Sequence, residues 1–508
     1  MSNTTPSPPA PLPQGGEGSE TLNSRPLAFG GEGRPSADGQ VRGLLGHRIM
    51  QLSARKCAIW LWLAALPWQA LGQTTITVKR GNPVRQGSAS WTETYEWNSP
   101  AREGGKLILR ADMGSVEITP GSGNQLEGRV VVHVYTGSEE KARHVFDAYH
   151  LIARSIEGGG AYVSGEFSGS RHHDRSVGAE FDINLPARFN LDVETQGGDI
   201  GLQGPLQGEA RLTTAGGDIH AMDISGPTKV ETAGGGISLG NLGARAEART
   251  AGGSIHIGNI QGDGTIETSG GEIQVGQVDG TLRAETAGGD VVIAGASGQV
   301  MAETAGGQIQ IGPTGGGVRV ETAGGSIRLR GARGPVVAET AGGSIDLLQL
   351  GASVRANTSE GRILAEFDAT AKTFAASQLE TSMGDVYVYL PVGLPLTIDA
   401  AIDAAAGHHI VTDFPLKILG DKEDFSERTI RGQGTLNGGG EVLRIRTVAG
   451  NIEIRKLDSR SLEDLKSREE TNWSRWQERQ AGKEQQRQER EQERQERQRE
   501  KEEERDQN

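Results

Sequence analysis

The chain of 508 residues carries 66 Asp plus Glu against 52 Lys plus Arg, and this formal net charge of −14 argues against nucleic-acid binding through a basic surface. Aromatic residues are only 4% of the chain while glycine numbers 76, so a thin aliphatic core is expected rather than a bulky aromatic one. Cys57 is the single cysteine, which excludes an intrachain disulfide.

Residues 1–49 are rich in Pro and Gly, with PSPPAPLPQGG and FGGEGRPSADG, and show no periodic apolar pattern. They bury too little to offset the entropy of ordering, so disorder is expected. Met50 opens a secretory signal over 50–72: Arg55 and Lys56, an apolar run from Ala58 to Trp68, then small residues at Ala70 and Gly72. Cleavage is expected between Gly72 and Gln73, and translation at Met50, with residues 1–49 as upstream sequence. A signal anchor is the weaker reading, because the run is short for a bilayer and contains Pro67. Removal of the signal takes Cys57 with it. No further apolar run has membrane length, so the mature chain is expected in the periplasm, at the cell surface or secreted, without a transmembrane segment.

Residues 73–190 read as an irregular capping β section with one helix. Trp91–Trp97, Gly105–Leu109, Arg129–Tyr135, Leu151–Ile156, Ala161–Phe167 and Glu180–Leu185 alternate as strands. Ser138 is placed to cap a helix of about three turns, whose apolar face is Ala142, Val145, Phe146 and Tyr149.

Residues 191–367 repeat one motif. Thr195, Thr214, Thr232, Thr250, Thr268, Thr286, Thr304, Thr322, Thr340 and Thr358 are separated by a first step of 19 and then by steps of 18. Most copies read Glu-Thr-Ala-Gly-Gly, a variable polar residue, then Ile-x-Ile or Ile-x-Leu. A fixed period of this length marks a parallel β-solenoid with 18-residue rungs. Ile255 and Ile257 point inward from one strand, Ile260 fills a corner, and Thr265–Thr268 form the second strand. Successive rungs are expected about 4.8 Å apart, with the threonines forming a hydroxyl ladder and the Gly-Gly pairs supplying positive φ at the corner. The three-sided hexapeptide helix is excluded, since inward residues fall at offsets 0, 2, 5, 9, 11 and 13 from Ile255. Right-handed winding is expected because parallel crossovers favour that hand.

Residues 368–456 carry irregular rungs and a C-terminal cap, with the motif surviving at Leu379–Val388 and a last copy at Ile445–Ile454. Residues 457–508 form a charged tail, expected as a lone solvated helix with partial disorder as the alternative. It has no apolar seam for a coiled coil. Trp473 and Trp476 share one face ahead of it and are expected to dock on the C-terminal cap.

The Gly-x-Leu-x-Leu opening, Gly114-Ser115-Val116-Glu117-Ile118, the reiterated Glu-Thr-x-Gly-Gly-x-Ile and the closing Thr447-Val448-Ala449-Gly450-Asn451-Ile452 resemble the bacterial putative-adhesin β-repeat family, a domain of unknown function. The resemblance covers about residues 88–456. It implies a β-solenoid and an extracytoplasmic location, and brings no catalytic residues. The Ala-Gly-Gly rung is more regular here than that family's pattern.

Glu231, Glu267, Glu285, Glu303, Glu321 and Glu339 share one outward column. Like charges at strand spacing repel, but Lys229, Arg283 and Arg319 stand two residues earlier and Arg249 faces Glu247 in a local swap. A salt-bridged solvated face is therefore favoured over an acidic track for cations or a basic partner. Ice binding is disfavoured by the inward parity of the threonines. His172-His173-Asp174 and His408-His409 lack further metal ligands, and no Gly-Gly pair has the Lys-Ser/Thr of a phosphate loop. No cofactor is expected. Long β-helices host polysaccharide-active enzymes, but those need a unique cluster in a groove, and here the acids repeat identically. The favoured reading is an exported, non-catalytic protein binding an unidentified protein or polysaccharide ligand of the envelope or surface. An envelope structural or signalling scaffold is the alternative, and a polysaccharide-active enzyme the least favoured.

Overall fold

A computed structural model describes residues 75–168, 177–405, 407–420 and 429–457. The signal segment with Gly72 and Gln73, the pair His172-His173 and the tail from Asp458 lie outside the described residues. Among the described residues the chain is nearly all β. It has 19-stranded and 18-stranded sheets and one helix, Glu139–Ala148.

Each 18-residue repeat gives one strand to each sheet. Ile255–Ile257 pairs in parallel with Ile237–Leu239 and Ile273–Val278, with Ile237, Ile255 and Ile273 in register. This is the isoleucine sheet. Gly264–Thr268 pairs likewise between Ala246–Thr250 and Leu282–Glu285, with Thr250 opposite Thr268, in the threonine sheet. Alternation explains both, since inward Ile, Val, Leu and Ala are buried in every copy while their neighbours stay on the outer face. The corner residue also pairs: Leu206, Ile224, Leu242, Ile260 and Val278 form a column of isolated parallel bridges. A third line of backbone contact therefore joins the repeats, beyond the two strands expected.

The Gly-Gly turns differ from expectation. No turn glycine from Gly216 to Gly343 has positive φ; among the equivalent turns that conformation occurs at Gly114, Gly198, Gly361 and Gly384, where the regular run begins or ends. Glycine is required instead by proximity. A Cβ at Gly271 would lie 2.1 Å from the Gly253 carbonyl oxygen, and one at Gly325 would lie 1.8 Å from that of Gly307. The first glycine of each pair is less constrained, with 3.3 Å between a Cβ at Gly270 and the Gly252 oxygen.

The threonine column is buried as its parity required, but its hydroxyls do not bond to one another. Thr268 Oγ1 donates to the Gly253 carbonyl at 2.8 Å and accepts from the Gly271 amide at 3.3 Å. The same bond to the preceding turn recurs from Thr250 to Gly235 at 2.7 Å and from Thr340 to Gly325 at 2.9 Å. The variable polar residue after Gly-Gly performs a related task. Asp199 accepts from the Asp218 amide at 2.8 Å, Asp218 from Gly236 at 2.6 Å and Asp290 from Gln308 at 2.8 Å. At the next corner Asp223, Asn241 and Asn259 cap the amides of Asn241, Asn259 and Gln277.

At both ends the order in space departs from the order in sequence. The strands Lys106–Ala111 and Ser115–Gly121 lie between the repeat beginning at Asn190 and the later strands Gly160–Phe167 and Val177–Pro186. At the far end Val442–Ala449 and Ile452–Lys456 lie between Ser377–Leu390 and the earlier strands Leu396–Ile402 and Ile410–Thr412. The last copy of the motif is thus one coil in from the end. Antiparallel strands finish each edge, such as Ser90–Pro100 on Gln125–Tyr135 and Ile430–Leu436 on Leu396–Ile402. The helix caps as expected, with Ser138 Oγ accepting from the Lys141 amide at 3.3 Å, and buries Ala142 and Phe146.

Replacing Gly271 by Ala should lower thermal stability by about 1–3 kcal/mol, as overpacking does, whereas Gly270→Ala should cost well under half as much. Thermal unfolding followed by circular dichroism compares the two. Equal losses would mean that turn proximity is not what selects glycine.

The charged face of the threonine sheet

The outward residues of the threonine sheet form two parallel columns, each set by the strand register. One runs Arg211, Lys229, Glu247, Thr265, Arg283, Met301, Arg319, Val337 and Arg355. The second brings together every glutamate singled out in the sequence: Glu231 faces Arg249, Arg249 faces Glu267, and then Glu285, Glu303, Glu321 and Glu339 follow in unbroken register.

Much of this acidic column is compensated. Lys229 lies 3.0 Å from Glu231 and 3.3 Å from Glu247, and Arg249 lies 3.6 Å from Glu231 and 3.0 Å from Glu267 while also pairing with Glu247. Arg283 pairs with Glu285 and Arg319 with Glu321. Met301 and Val337 occupy the cation's place beside Glu303 and Glu339, which make no ion pair among the described residues. Uncompensated carboxylates therefore alternate with paired ones. All lie half-buried on the outer face of the sheet, where each pair is worth about 1 kcal/mol or less.

The column ends in two matching clamps that sequence reasoning missed. Arg110 donates through Nη1 to the Asp192 carbonyl at 2.8 Å and through Nη2 to its carboxylate at 2.7 Å. Arg446 donates to the Asp399 carbonyl at 2.8 Å and to its carboxylate at 2.6 Å. Each arginine stands on the out-of-order coil and grips the coil beside it. Burial alone would raise the Asp192 carboxyl, but hydrogen bonds from Lys106 and Arg110 outweigh it and hold it below the usual range. At Asp399, burial is likewise outweighed by hydrogen bonds from Arg446 and Gln433. The signal available was parity, since Arg110 and Arg446 occupy the glutamate column. The 82 residues between Arg110 and Asp192 hid their pairing.

A buried polar cluster in the N-terminal section was also missed. Glu93 is 1% exposed and accepts from Arg80 Nε at 2.9 Å and from the Tyr95 hydroxyl at 2.6 Å. Burial, with the Glu93 hydrogen bond and charge next, pushes the Tyr95 hydroxyl above its ordinary range. With Glu93 and Tyr95 buried and Arg80 reaching in from the surface, the cluster ties the strands Val78–Arg80 and Ser90–Pro100. Among the described residues no cluster of His, Cys, Asp and Glu could hold a metal ion, and no helix is long and apolar enough to cross a membrane.

Comparison with known proteins agrees with the family read from the motifs: residues 179–314 match the family model described as Toastrack DUF4097. No curated protein matches the chain. Among solved structures, a putative adhesin from Bacteroides fragilis NCTC 9343 is 12% identical, covering 48% of this chain and 95% of its own, with a TM-score of 0.25. A putative cell adhesion protein from Clostridium sporogenes ATCC 15579 is 11% identical over 71% of this chain and 99% of its own, with a TM-score of 0.14. A putative lipid binding protein from Parabacteroides distasonis ATCC 8503 is 11% identical over 72% and 97%, with a TM-score of 0.19. Likeness of this degree assigns no role.

A carboxylate whose pKa is lowered by folding stabilises above its unfolded value, about 3.9. That contribution is lost as pH falls through the lower folded value. Asp192→Asn should therefore be less stable than the parent at pH 7, and the gap should close as pH is lowered from about 4 toward 2. Melting temperatures across that range give the comparison, and a gap independent of pH would exclude the clamp as its source.

Proposed function

We propose, taking the Toastrack match over residues 179–314 as the premise, that the chain is an exported, non-catalytic binding protein of the bacterial cell envelope. The observation that carries this reading is the repetition of the outward residues on the threonine sheet. A catalytic site needs a unique constellation, whereas Glu267, Glu285, Glu303, Glu321 and Glu339 recur in register. A surface of this kind suits an extended ligand, a protein or polysaccharide, that meets several coils at once and gains from multivalency. Glu303 and Glu339 are the acceptors for its cationic groups. Right-handed winding in 18-residue coils, signal cleavage between Gly72 and Gln73, and a charged helical tail from residue 457 complete the proposal. An envelope scaffold assembled through its charged tail or its solenoid ends is the second reading.

The double change Glu303→Gln and Glu339→Gln separates a binding track from a merely solvated face. Like-charge repulsion at strand spacing is relieved in either case, so stability should rise by a few tenths of a kcal/mol. A binding track should in addition lose at least half its retention on a polycationic matrix at low salt. Unchanged retention would remove the track. A calcium titration of the parent tests the cation role, and an unmoved melting temperature at millimolar calcium would exclude it.

A further inference from the structure

Toward its C-terminal end the outer face of the threonine sheet changes from surplus acid to surplus base. Over six consecutive strands the glutamate column reads Glu303, Glu321, Glu339, Asn357, Glu380 and Arg446 in register. The column beside it reads Met301, Arg319, Val337, Arg355, Gln378 and Arg444. Glu321 is paired with Arg319, and Glu380 accepts from Gln378 Nε2 at 2.6 Å. Four charged side chains lack a close partner among the described residues. Glu303, Glu339 and the exposed Arg355 make no ion pair, and the exposed Arg444 reaches Asp399 only at 3.8 Å.

These four are placed symmetrically. Take the line midway between the strands Val336–Thr340 and Val354–Glu360. Glu339 and Arg355 stand half a strand spacing to either side of it, and Glu303 and Arg444 stand two and a half. Opposite charges at equal distances from one line make a surface complementary to itself, which is what a two-fold interface requires.

We infer that this face pairs with the same face of a second copy, the two repeats running antiparallel about an axis along that line; this rests on reading the face as a binding surface and names what it binds. Glu303 of each copy then lies opposite the strand Val442–Ala449 of the other, facing Arg446 with Arg444 beside it. Glu339 faces Asn357, and Arg355 two residues along that strand is within the diagonal reach of a long side chain, about 7–8 Å. Glu321 meets Glu380, where Arg319 offsets the like charges. The leading edge of the sheet fits the same partner. Pro335, Val337, Ala376 and Val442 give it an open apolar groove, and Val442 is 38% exposed. Across the two-fold, Pro335 meets Ser353 and Gly317 meets Ala376, side chains small enough for sheets to approach to about 10 Å. Six strands of five residues cover about 29 by 17 Å. Counted over both copies this is about 1,000 Å², at the low end for a specific interface, so the pair is reversible.

Sedimentation velocity of the full chain at low salt should show a monomer–dimer equilibrium, displaced toward monomer at about 0.5 M salt. Arg355→Glu with Arg444→Glu, and separately Glu303→Arg with Glu339→Arg, should each weaken the dimer at least tenfold, because one sign then meets itself. Mixing the two variants should restore a heterodimer at parent strength or better, since every one of these contacts is again between opposite charges. A parent that stays monomeric at every concentration would overturn the second copy, as would variants that dimerise undiminished or a mixture that stays monomeric. Retention on the polycationic matrix distinguishes this failure from that of the binding face. Arg355→Glu with Arg444→Glu keeps both acidic acceptors, so its retention should persist while its dimer is lost. A monomeric parent whose retention still depends on Glu303 and Glu339 would remove only the second copy, whereas retention indifferent to both would remove the face as well.

Discussion

The narrow interval between consecutive Gly-Gly turns is the constraint on which the repeat depends. One carbonyl, that of Gly253, both leaves no room for a side chain at Gly271 and accepts the hydroxyl of Thr268. Threonine and glycine in Thr-Ala-Gly-Gly are therefore two halves of one contact between coils, made from a buried donor and an absent Cβ. An unpaired hydroxyl in that interior would cost about 1–3 kcal/mol, so neither half is independently replaceable. Asp199, Asp218 and Asp290 extend the same principle one residue further on, each satisfying an amide of the next coil. Cohesion thus resides between repeats, as expected of a nearest-neighbour array.

The charged face is permitted by this arrangement more than it contributes to it. With the backbone and inward columns fixing the register, the outer side chains need only avoid excessive repulsion. Arg249 achieves this by touching Glu231, Glu247 and Glu267 together, and Arg283 and Arg319 by pairing within their own strands. Glu303 and Glu339 fall where the neighbouring residue is Met301 or Val337, so local compensation fails at every second coil. The stripe is least compensated where the fold gains least from it.

Much of the architecture was legible because it is local and periodic. The alternation at Ile255–Ile257 assigned a strand and its inner face, the inward parity of Thr268 put the column inside, and Ser138 marked its helix. The column Glu231 to Glu339 and its partial cations could be aligned by counting eighteens. Two things were misjudged for physical reasons. The glycines suggested special dihedral angles, but the determinant is a neighbouring carbonyl 18 residues away, which composition cannot reveal. The threonine hydroxyls were assigned to one another because they stack, yet a turn carbonyl lies in better reach. The end clamps were illegible because Arg110 and Asp192, or Asp399 and Arg446, meet only through pairings that skip intervening chain.

Those skipped pairings have a consequence for how such a molecule is made and how it can change. The coil carrying Arg446 slots between two neighbours that leave the ribosome before it, so the C-terminal end stays incomplete until nearly all described strands exist. Closure there joins segments far apart in sequence, a slow class of event. The middle is different: a coil inserted or removed between Thr232 and Thr340 leaves both terminal interlocks intact. Evolutionary lengthening by duplication is therefore channelled into the interior, as a zip fastener is lengthened between its stops.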